Sequence, residues 1–185
     1  MKKIFLVGVA CVLCALRCLG ANFDECLEAR RDARVRAFLD VIAHAEGTYL
    51  YGVLGYSARY PMRWFNGFGQ HPGYVSVKKR SGQVARYSAS GRYMFLVKTW
   101  DYLEKKLGLS DFGPLSQDVG AIALLAQKGA LKALRADNFE RAVLLANKTW
   151  ATFPGSPYGQ TTTTMPELKR LFSDRLVYYR GGGVL

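Results

Sequence analysis

The sequence predicts a single α+β domain that is mainly helical and carries a small β lobe after its first long helix. Three observations lead to this class. Apolar residues recur at helical spacing before Gly47, residues 47–92 lose that spacing, and helical spacing returns from Tyr93 onward. No repeat or linker divides the chain. We therefore expect one domain over residues 22–180, followed by a flexible tail at 181–185.

The first 21 residues have the composition of a secretory signal peptide. Two lysines precede an apolar run over residues 4–16, and small residues follow at positions 20 and 21. The run is short for a membrane span, and Arg17 ends it. We expect an exported protein, periplasmic or secreted. A retained anchor, with transient membrane contact through this N-terminal segment, is the alternative.

The chain is strongly basic, with a formal net charge of +12 and a pI of about 9.7. Such a charge predicts a polyanionic partner, which could be nucleic acid, an anionic membrane or an anionic cell wall. Export disfavours nucleic acid and favours the cell envelope. Of the four cysteines, only Cys26 lies beyond the predicted cleavage site, so we expect no disulfide framework and no zinc site. Cys26 could pair with Cys14 or Cys18 only if the leader stays attached.

The first helix is predicted over residues 27–46, and its last residue is the candidate catalytic group. Phe38, Leu39 and Ile42 form an apolar stripe that Glu46 continues, and Gly47 is a typical helix stop. Partial burial and the negative end of the helix dipole both raise the pKa of a carboxyl placed there. A carboxyl that keeps its proton suits general acid catalysis. The alternative is a frayed last turn with Glu46 in water.

The β lobe and the later helices follow from turn residues and periodicity. Residues 74–78 and 83–88 alternate around the turn "KRSG", which predicts a hairpin. Ser116 is predicted to cap a helix, and Gly and Pro punctuate the segments between helices. The later helices are expected at 94–107, 116–128, 138–151 and 166–179. A glutamate between a helical body and a β lobe lies where clefts form.

Five stretches resemble the phage lambda endolysin family in order and spacing. They are "FLDVIAHAEGT", "SASGRYMF", "LGLSDFGPLSQD", "QKGAL" and "TWATFPGSPYGQ", and the resemblance covers roughly residues 34 to 175. The resemblance implies a lysozyme-like fold and lytic transglycosylase activity on peptidoglycan. It implies cleavage of the β-1,4 bond between N-acetylmuramic acid and N-acetylglucosamine with a 1,6-anhydro product. No metal and no cofactor are implied, and Glu46 matches the catalytic glutamate. We expect glycan strands as the partner and a monomer.

The acids in the sequence agree with transglycosylation. Hydrolytic glycosidases usually use two carboxylates, whereas one glutamate can act as acid and then base in transglycosylation. Residues 47–92 contain no Asp and no Glu, Asp40 is predicted on the far face of the first helix, and Asp101 lies in a later helix. A residue distant in sequence could still fold close, so a hydrolytic muramidase remains an alternative.

The resemblance also suggests four substrate-binding residues. Arg92 is expected to contact acidic groups of the glycan or peptide stem, and Tyr93 to line the cleft. Tyr158 and Gln160 match the late loop of the family, and sugar sites favour aromatic and amide side chains. For each residue the alternative is a structural role: a surface arginine, a core tyrosine, or loop residues that face away from the cleft.

The sequence departs from the family pattern at three positions. Met94 replaces a glutamine, and Gly67 and Gln70 replace acids before "HP". Because of these departures, a catalytically weakened protein that only binds the cell wall is an alternative. A basic membrane-disrupting or nucleic-acid-binding protein is a further alternative, suggested by charge alone.

The other aromatic and histidine residues have structural interpretations. His44 is expected at the surface, paired with Asp40, and His71 in a turn. Trp100 and Trp150 lie in helical stripes and are expected in the core. Trp64 and Phe65 are expected to anchor the β lobe, with stacking on sugar rings as the alternative.

Overall fold

The computed structural model describes residues 21–184, so the predicted signal peptide and its cysteines lie outside the described residues. Within them the chain alternates a helical body with a small, mostly irregular lobe. The elements are α1 Phe23–Ala29, α2 Ala33–Ala45, a 3₁₀ segment Tyr49–Ser57, β1 Ala58–Arg59, β2 Arg63–Trp64, β3 Val75–Lys78, β4 Val84–Tyr87, α3 Val97–Leu107, α4 Pro114–Gln127, α5 Ala130–Arg135, α6 Phe139–Ala146 and α7 Met165–Arg180. The α+β class with a small β lobe is confirmed.

The predicted first helix is two helices in the structure. Asn22 and Glu25 form a reciprocal capping box that starts α1. The side chain of Asp32 accepts a hydrogen bond from the backbone N–H of Arg34 and starts α2. The prediction of one helix over 27–46 was wrong because Asp32 caps a new helix within it.

Helix α2 is the central element of the body. Every residue of α2 from Ala37 to Ala43 is buried, and the helix packs most extensively against α7. The core also takes large side chains from several other elements, including Trp100, Phe112, Ile122, Phe153 and Leu168. Because α2 is enclosed along its length, the residue at its C-terminal end is held by the whole core.

The β lobe consists of two small antiparallel sheets. Strands β3 and β4 form the predicted hairpin, with Val75 opposite Tyr87 and Lys78 opposite Val84. Strands β1 and β2 pair through two residues each. The 3₁₀ segment that precedes them was not predicted, because its sequence "YLYGVLGYS" has neither helical nor alternating periodicity.

Two helix starts differ from the predictions. Helix α3 starts at Val97 rather than 94, because Ser90 and Phe95 pair as a β-bridge. Helix α4 starts at Pro114, so Ser116 is not its cap; its Oγ donates to Asp111 Oδ1 at 2.7 Å. Proline is favoured in the first helical turn, where its missing N–H is not needed.

The C-terminal residues that were expected to be flexible contact the body. The carbonyl oxygen of Gly183 accepts a hydrogen bond from Arg36 Nη1 at 2.9 Å.

Cys26 is buried, and burial raises the pKa of its thiol to about 11, so it is a packing residue rather than a reactive one. None of the helices within residues 21–184 combines the length and the apolar character needed to cross a bilayer.

Candidate active site

Glu46 is the C-cap residue of α2, at the junction between the helical body and the lobe. Its backbone N–H donates to the carbonyl of Ile42 at 3.0 Å, so the last turn of α2 is formed rather than frayed. Gly47 follows with φ 77°, which turns the chain towards the 3₁₀ segment. The carboxyl oxygen Oε1 of Glu46 accepts a hydrogen bond of 2.6 Å from the hydroxyl of Thr152.

The environment of Glu46 favours its neutral form. Burial raises the pKa of Glu46 to about 7, and the hydrogen bond from Thr152 opposes this shift only partly. Within residues 21–184, no other carboxylate contributes to the raised pKa. Glu46 is therefore largely protonated below neutral pH, yet it can release its proton near neutrality. This is the behaviour of a group that acts first as an acid and then as a base.

Thr152 was missed as a site residue, although it lies within the stretch "TWATFPGSPYGQ". Its carbonyl accepts hydrogen bonds from the backbone N–H and the hydroxyl of Thr163, at 2.9 and 3.1 Å. Two residues earlier, the indole N–H of Trp150 donates to the carbonyl of Tyr93 at 3.1 Å. The loop that carries Thr152 is therefore fixed from both sides, which fixes the hydroxyl against Glu46.

Two other acids, Asp40 on α2 itself and Glu167 on α7, are occupied by other partners. Asp40 is buried and accepts hydrogen bonds from Arg92 Nη2 at 2.8 Å and from Arg175 Nε at 2.6 Å. Glu167 lies 2.8 Å from Nε2 of His44. The predicted pairing of His44 with Asp40 was therefore wrong, because α7 supplies both the acid for His44 and a second arginine for Asp40.

Arg92 and Tyr93 are buried. Arg92 is 6% exposed and joins Asp40 to the carbonyl of Gly52 in the 3₁₀ segment, which it reaches through Nη1 at 3.0 Å. Tyr93 is 1% exposed, and its hydroxyl donates to Asp118 Oδ1 at 2.6 Å. Both predictions of substrate contact are corrected, because these side chains are enclosed in the body and use their polar atoms there.

The stretch "SASGRYMF" lies against "LGLSDFGPLSQD". A Cβ on Gly91 would clash with the side-chain oxygen of Gln117, and Gly91 has φ 80°. That oxygen accepts the backbone N–H of Arg92 at 2.8 Å, and the Gln117 amide donates to the carbonyls of Tyr56 and Phe112. The side chain of Gln117 therefore ties the backbone of the first stretch to helix α4.

Tyr158 and Gln160 lie together in an exposed groove of about 900 Å³. The hydroxyl of Tyr158 donates to the carbonyl of Lys148 at 3.0 Å, which holds the ring against the loop. The lining includes three lysines, at positions 98, 128 and 148. Glu46 does not line this groove, but Ala151 does and precedes Thr152 in the chain. Contact of this groove with substrate stays a prediction.

The aromatic residues of the lobe divide into anchors and exposed rings. Phe65 is partly buried and packs on Phe112 with ring centres 5.7 Å apart, so it anchors the lobe as predicted. Trp64 is exposed and touches Tyr51 edge-on at 5.3 Å, so its predicted anchoring role was wrong. His71 is buried, with Nε2 3.0 Å from the carbonyl of Phe95.

The remaining predictions at this site concern the core, the departures and metals. Trp100 and Trp150 are buried, as predicted. Gly67 and Gln70 line a shallow surface groove, and Met94 is partly buried with φ 48°. Residues 21–184 hold no group of three or more His, Cys, Asp or Glu side chains that could bind a metal ion. The absence of metal and cofactor stays a prediction.

Comparison with known sequences matches this chain to endolysins. A profile described as Endolysin matches residues 36–178. The chain is 36% identical over 148 residues to the endolysin of Escherichia phage P2, an alignment that covers 72% of this chain and 87% of that protein. It is 32% identical over 129 residues to the endolysin of Escherichia phage lambda, covering 68% of this chain and 80% of that protein.

Comparison with solved structures agrees with the sequences. A structure of bacteriophage lambda lysozyme complexed with a chitohexasaccharide superposes with a TM-score of 0.70 at 29% identity, covering 83% of this chain and 96% of that chain. A second structure of lysozyme from bacteriophage lambda gives a TM-score of 0.62 at 26% identity, with the same coverage. The fold is therefore lysozyme-like.

Proposed function

Because the chain belongs to the endolysin family, it is a peptidoglycan-degrading enzyme, and we propose that it acts as a lytic transglycosylase. The bond cleaved is the β-1,4 bond between N-acetylmuramic acid and N-acetylglucosamine, and the product carries a 1,6-anhydromuramic acid end. The single observation that carries this proposal is the environment of Glu46, where burial raises the pKa to about 7 and no other carboxylate among the described residues contributes to the shift.

Glu46 performs both proton transfers in this mechanism. In the first, the protonated carboxyl donates to the glycosidic oxygen, and the bond between that oxygen and the anomeric carbon breaks as positive charge develops on the sugar ring. In the second, the carboxylate of Glu46 accepts the proton of the muramyl 6-hydroxyl while that oxygen attacks the anomeric carbon. Glu46 ends protonated, and no water is consumed.

Thr152 supports the second half of this cycle. Its hydroxyl donates to Glu46 Oε1, and a donor to the carboxylate stabilises the ionised form that exists between the two proton transfers. Burial stabilises the protonated form that starts the reaction. The two effects together hold the pKa of Glu46 near the pH at which the enzyme must both give and take a proton.

The substrate is proposed to be the glycan strand of peptidoglycan. The lambda lysozyme structure holds a chitohexasaccharide, which is a sugar oligomer, and this chain shares its fold. Tyr158 and Gln160, in the groove beside the Thr152 loop, are proposed to bind the strand. The enzyme is proposed to be exported, since peptidoglycan lies outside the cytoplasmic membrane. It is also proposed to consist of a single catalytic domain and to act as a monomer.

A hydrolytic muramidase is the second candidate, because the comparisons support either product. The two candidates differ in whether water enters the product. We would digest peptidoglycan sacculi with the full chain in ¹⁸O-labelled water and separate the released muropeptides by mass spectrometry. Transglycosylation predicts unlabelled products that are one water lighter than reducing muropeptides. Labelled reducing ends would instead establish hydrolysis.

The matched variants are Glu46→Gln and Glu28→Gln. Each removes one carboxylate, but Glu28 is exposed on α1, where it pairs with Arg31. Loss of general acid catalysis should lower the rate of Glu46→Gln by roughly 10²–10⁴-fold, while Glu28→Gln should keep the parental rate. No product from the unaltered protein would favour a wall-binding protein, with Gly67, Gln70 and Met94 as the departures to examine.

A further inference from the structure

The 3₁₀ segment exposes an unusual amount of apolar side chain. Leu50 is 89% exposed, Val53 79% and Leu54 62%. Tyr51 and Trp64 lie beside them, with ring centres 5.3 Å apart. We call these five residues the apolar ridge. Exposed apolar residues elsewhere, such as Leu144 and Val177, are separated in the chain, whereas a clustered exposed patch usually marks an interaction surface.

The backbone beneath the apolar ridge is anchored, so the ridge is not a loose loop. Arg92 Nη1 donates to the carbonyl of Gly52, and the hydroxyl of Tyr56 donates to Asp118 Oδ1 at 2.8 Å. A Cβ on Gly55 would meet the carbonyl oxygen of Thr48 at 2.8 Å, which shows how tightly the segment folds back on its own start. The apolar side chains are thus displayed on a fixed support, which lowers the entropy cost of binding.

Charge on the same lobe has one sign. Residues 47–91 contain six Arg and Lys residues and no Asp or Glu. Four exposed cations lie in or next to β3 and β4, which with their turn we call the basic hairpin; they are Lys78, Lys79, Arg80 and Arg86. Within the lobe, therefore, no acid neutralises these cations, and the lobe is complementary to an anionic surface.

Contacts within the lobe connect the segment that carries the apolar ridge to the basic hairpin. Trp64 of the ridge belongs to strand β2, and its neighbour Arg63 shares a surface groove with Val75 and Lys78 of the hairpin. Tyr60, next to β1, packs against Tyr87 of β4 with ring centres 4.6 Å apart and the rings inclined at 50°. Exposed tyrosines and a tryptophan beside aliphatic residues and cations are typical of groups at a membrane–water interface.

We propose that the apolar ridge and the basic hairpin together form a docking surface for an anionic phospholipid bilayer. Leu50, Val53 and Leu54 enter the outer part of the acyl region, Tyr51 and Trp64 lie at the headgroup level, and the hairpin cations contact lipid phosphates. This surface is distinct from the N-terminal segment and does not depend on the chemistry of Glu46. It would hold the enzyme at the membrane while Glu46 remains on the adjoining body.

Trp64 provides a local probe of this surface in the full chain. Of the three tryptophans, Trp64 is 48% exposed, whereas Trp100 and Trp150 are buried. Large unilamellar vesicles of phosphatidylglycerol and phosphatidylcholine, with bromine on the acyl chains, should shift Trp64 emission to the blue and quench it. Trp64→Tyr should lose this response. If the protein sediments with the vesicles while Trp64 emission stays unchanged, binding occurs through another segment and the proposal fails.

Variants at the ridge and at other exposed apolar residues distinguish binding through the ridge from nonspecific hydrophobic adsorption. Changing Leu50, Val53 and Leu54 to Ser should weaken partitioning into anionic vesicles by about tenfold or more. Changing Leu144 and Val177, which are exposed on α6 and α7, to Ser should leave partitioning unchanged. All variants carry the same N-terminal segment, so its contribution cancels. Equal loss in both sets would overturn the proposal, and thermal unfolding checks that each variant is folded.

The charge contribution is tested with a second matched pair. Lys78, Lys79 and Arg80 changed to Gln should weaken partitioning by about tenfold or more, whereas Lys105, Lys132 and Arg141 changed to Gln remove the same charge elsewhere and should have little effect. A Trp64 response to soluble chitooligosaccharide but not to vesicles would identify a sugar-binding surface and would overturn the proposal.

Discussion

The helical body and the β lobe differ in where they place charged and large apolar side chains. In the body, two acids are buried and paired with arginines: Asp40 binds Arg92 and Arg175, and Asp118 binds Arg30. In the lobe, acids are absent, most cations are exposed, and large apolar side chains face outward. The buried ion pairs fix the packing of the body, whereas the lobe exposes cations and apolar side chains to solvent.

Glu46 lies where the two regions meet, and its properties come mainly from the body. Helix α2 positions its backbone, and the loop of Thr152 supplies its hydrogen bond. From the lobe, Met62 lies close to the residue that follows Glu46: its methyl group would be 3.5 Å from a Cβ on Gly47. Changes to the buried part of the body should therefore alter folding and catalysis together, whereas changes to exposed side chains of the lobe should leave the free energy of unfolding nearly unchanged.

The largest effect is expected at the buried pair of the body. Asp40→Asn leaves Arg92 buried without its carboxylate partner and also weakens the bonds from Arg175 and Tyr179. Loss of one partner of a buried ion pair costs about 3–5 kcal/mol of unfolding free energy. Urea unfolding measures this cost.

The control for this experiment is Asp174→Asn, which changes an exposed acid on α7. A surface substitution of this kind should change the free energy of unfolding by no more than about 0.5 kcal/mol. If Asp40→Asn were as mild as Asp174→Asn, the body would not depend on this pair, and the contrast with the lobe would disappear.

An intermediate effect is expected from the pH dependence of stability at Glu46. Its pKa is raised to about 7 in the folded chain from an ordinary value of 4.5. Below pH 4.5 both states are protonated, so the group has no effect. As pH rises through 7, the unfolded chain gains from ionising first, and the folded chain loses about 1–3 kcal/mol relative to it.

Glu46→Gln removes this loss, because the amide does not ionise. The variant should therefore be more stable than the parent at pH 8 and similar to it at pH 4, as measured by thermal or urea unfolding at both values. Glu28→Gln is the control and should show no such dependence. Equal effects of Glu46→Gln at the two pH values would mean that the carboxyl is not buried in its neutral form.

The smallest effect on stability is expected on the apolar ridge. Leu50→Ser or Val53→Ser should change the free energy of unfolding by no more than about 0.5 kcal/mol, because these side chains are already in water. Leu39→Ala, in α2, should cost about 2–5 kcal/mol. A ridge substitution that costs several kcal/mol would show that the ridge packs on the body and is not a free surface.

The sequence by itself determined the helical body, the hairpin and the position of Glu46. Those features depend on local patterns: apolar residues at helical spacing in α2, alternation around "KRSG", and a glycine directly after Glu46. Five quoted stretches also identified the family. Local patterns suffice there because helix periodicity and turn chemistry act over a few neighbouring residues.

Only the tertiary structure decided which polar residues serve the fold and which serve the site. Arg92 and Tyr93 were expected to contact substrate, but their partners Asp40 and Asp118 lie 52 and 25 residues away in the chain. Thr152 lies 106 residues from Glu46 and has no sequence signal that marks it as its partner. Such pairings depend on how distant segments pack, so the position of a side chain in the sequence does not show whether packing leaves it in a cleft or encloses it in the core.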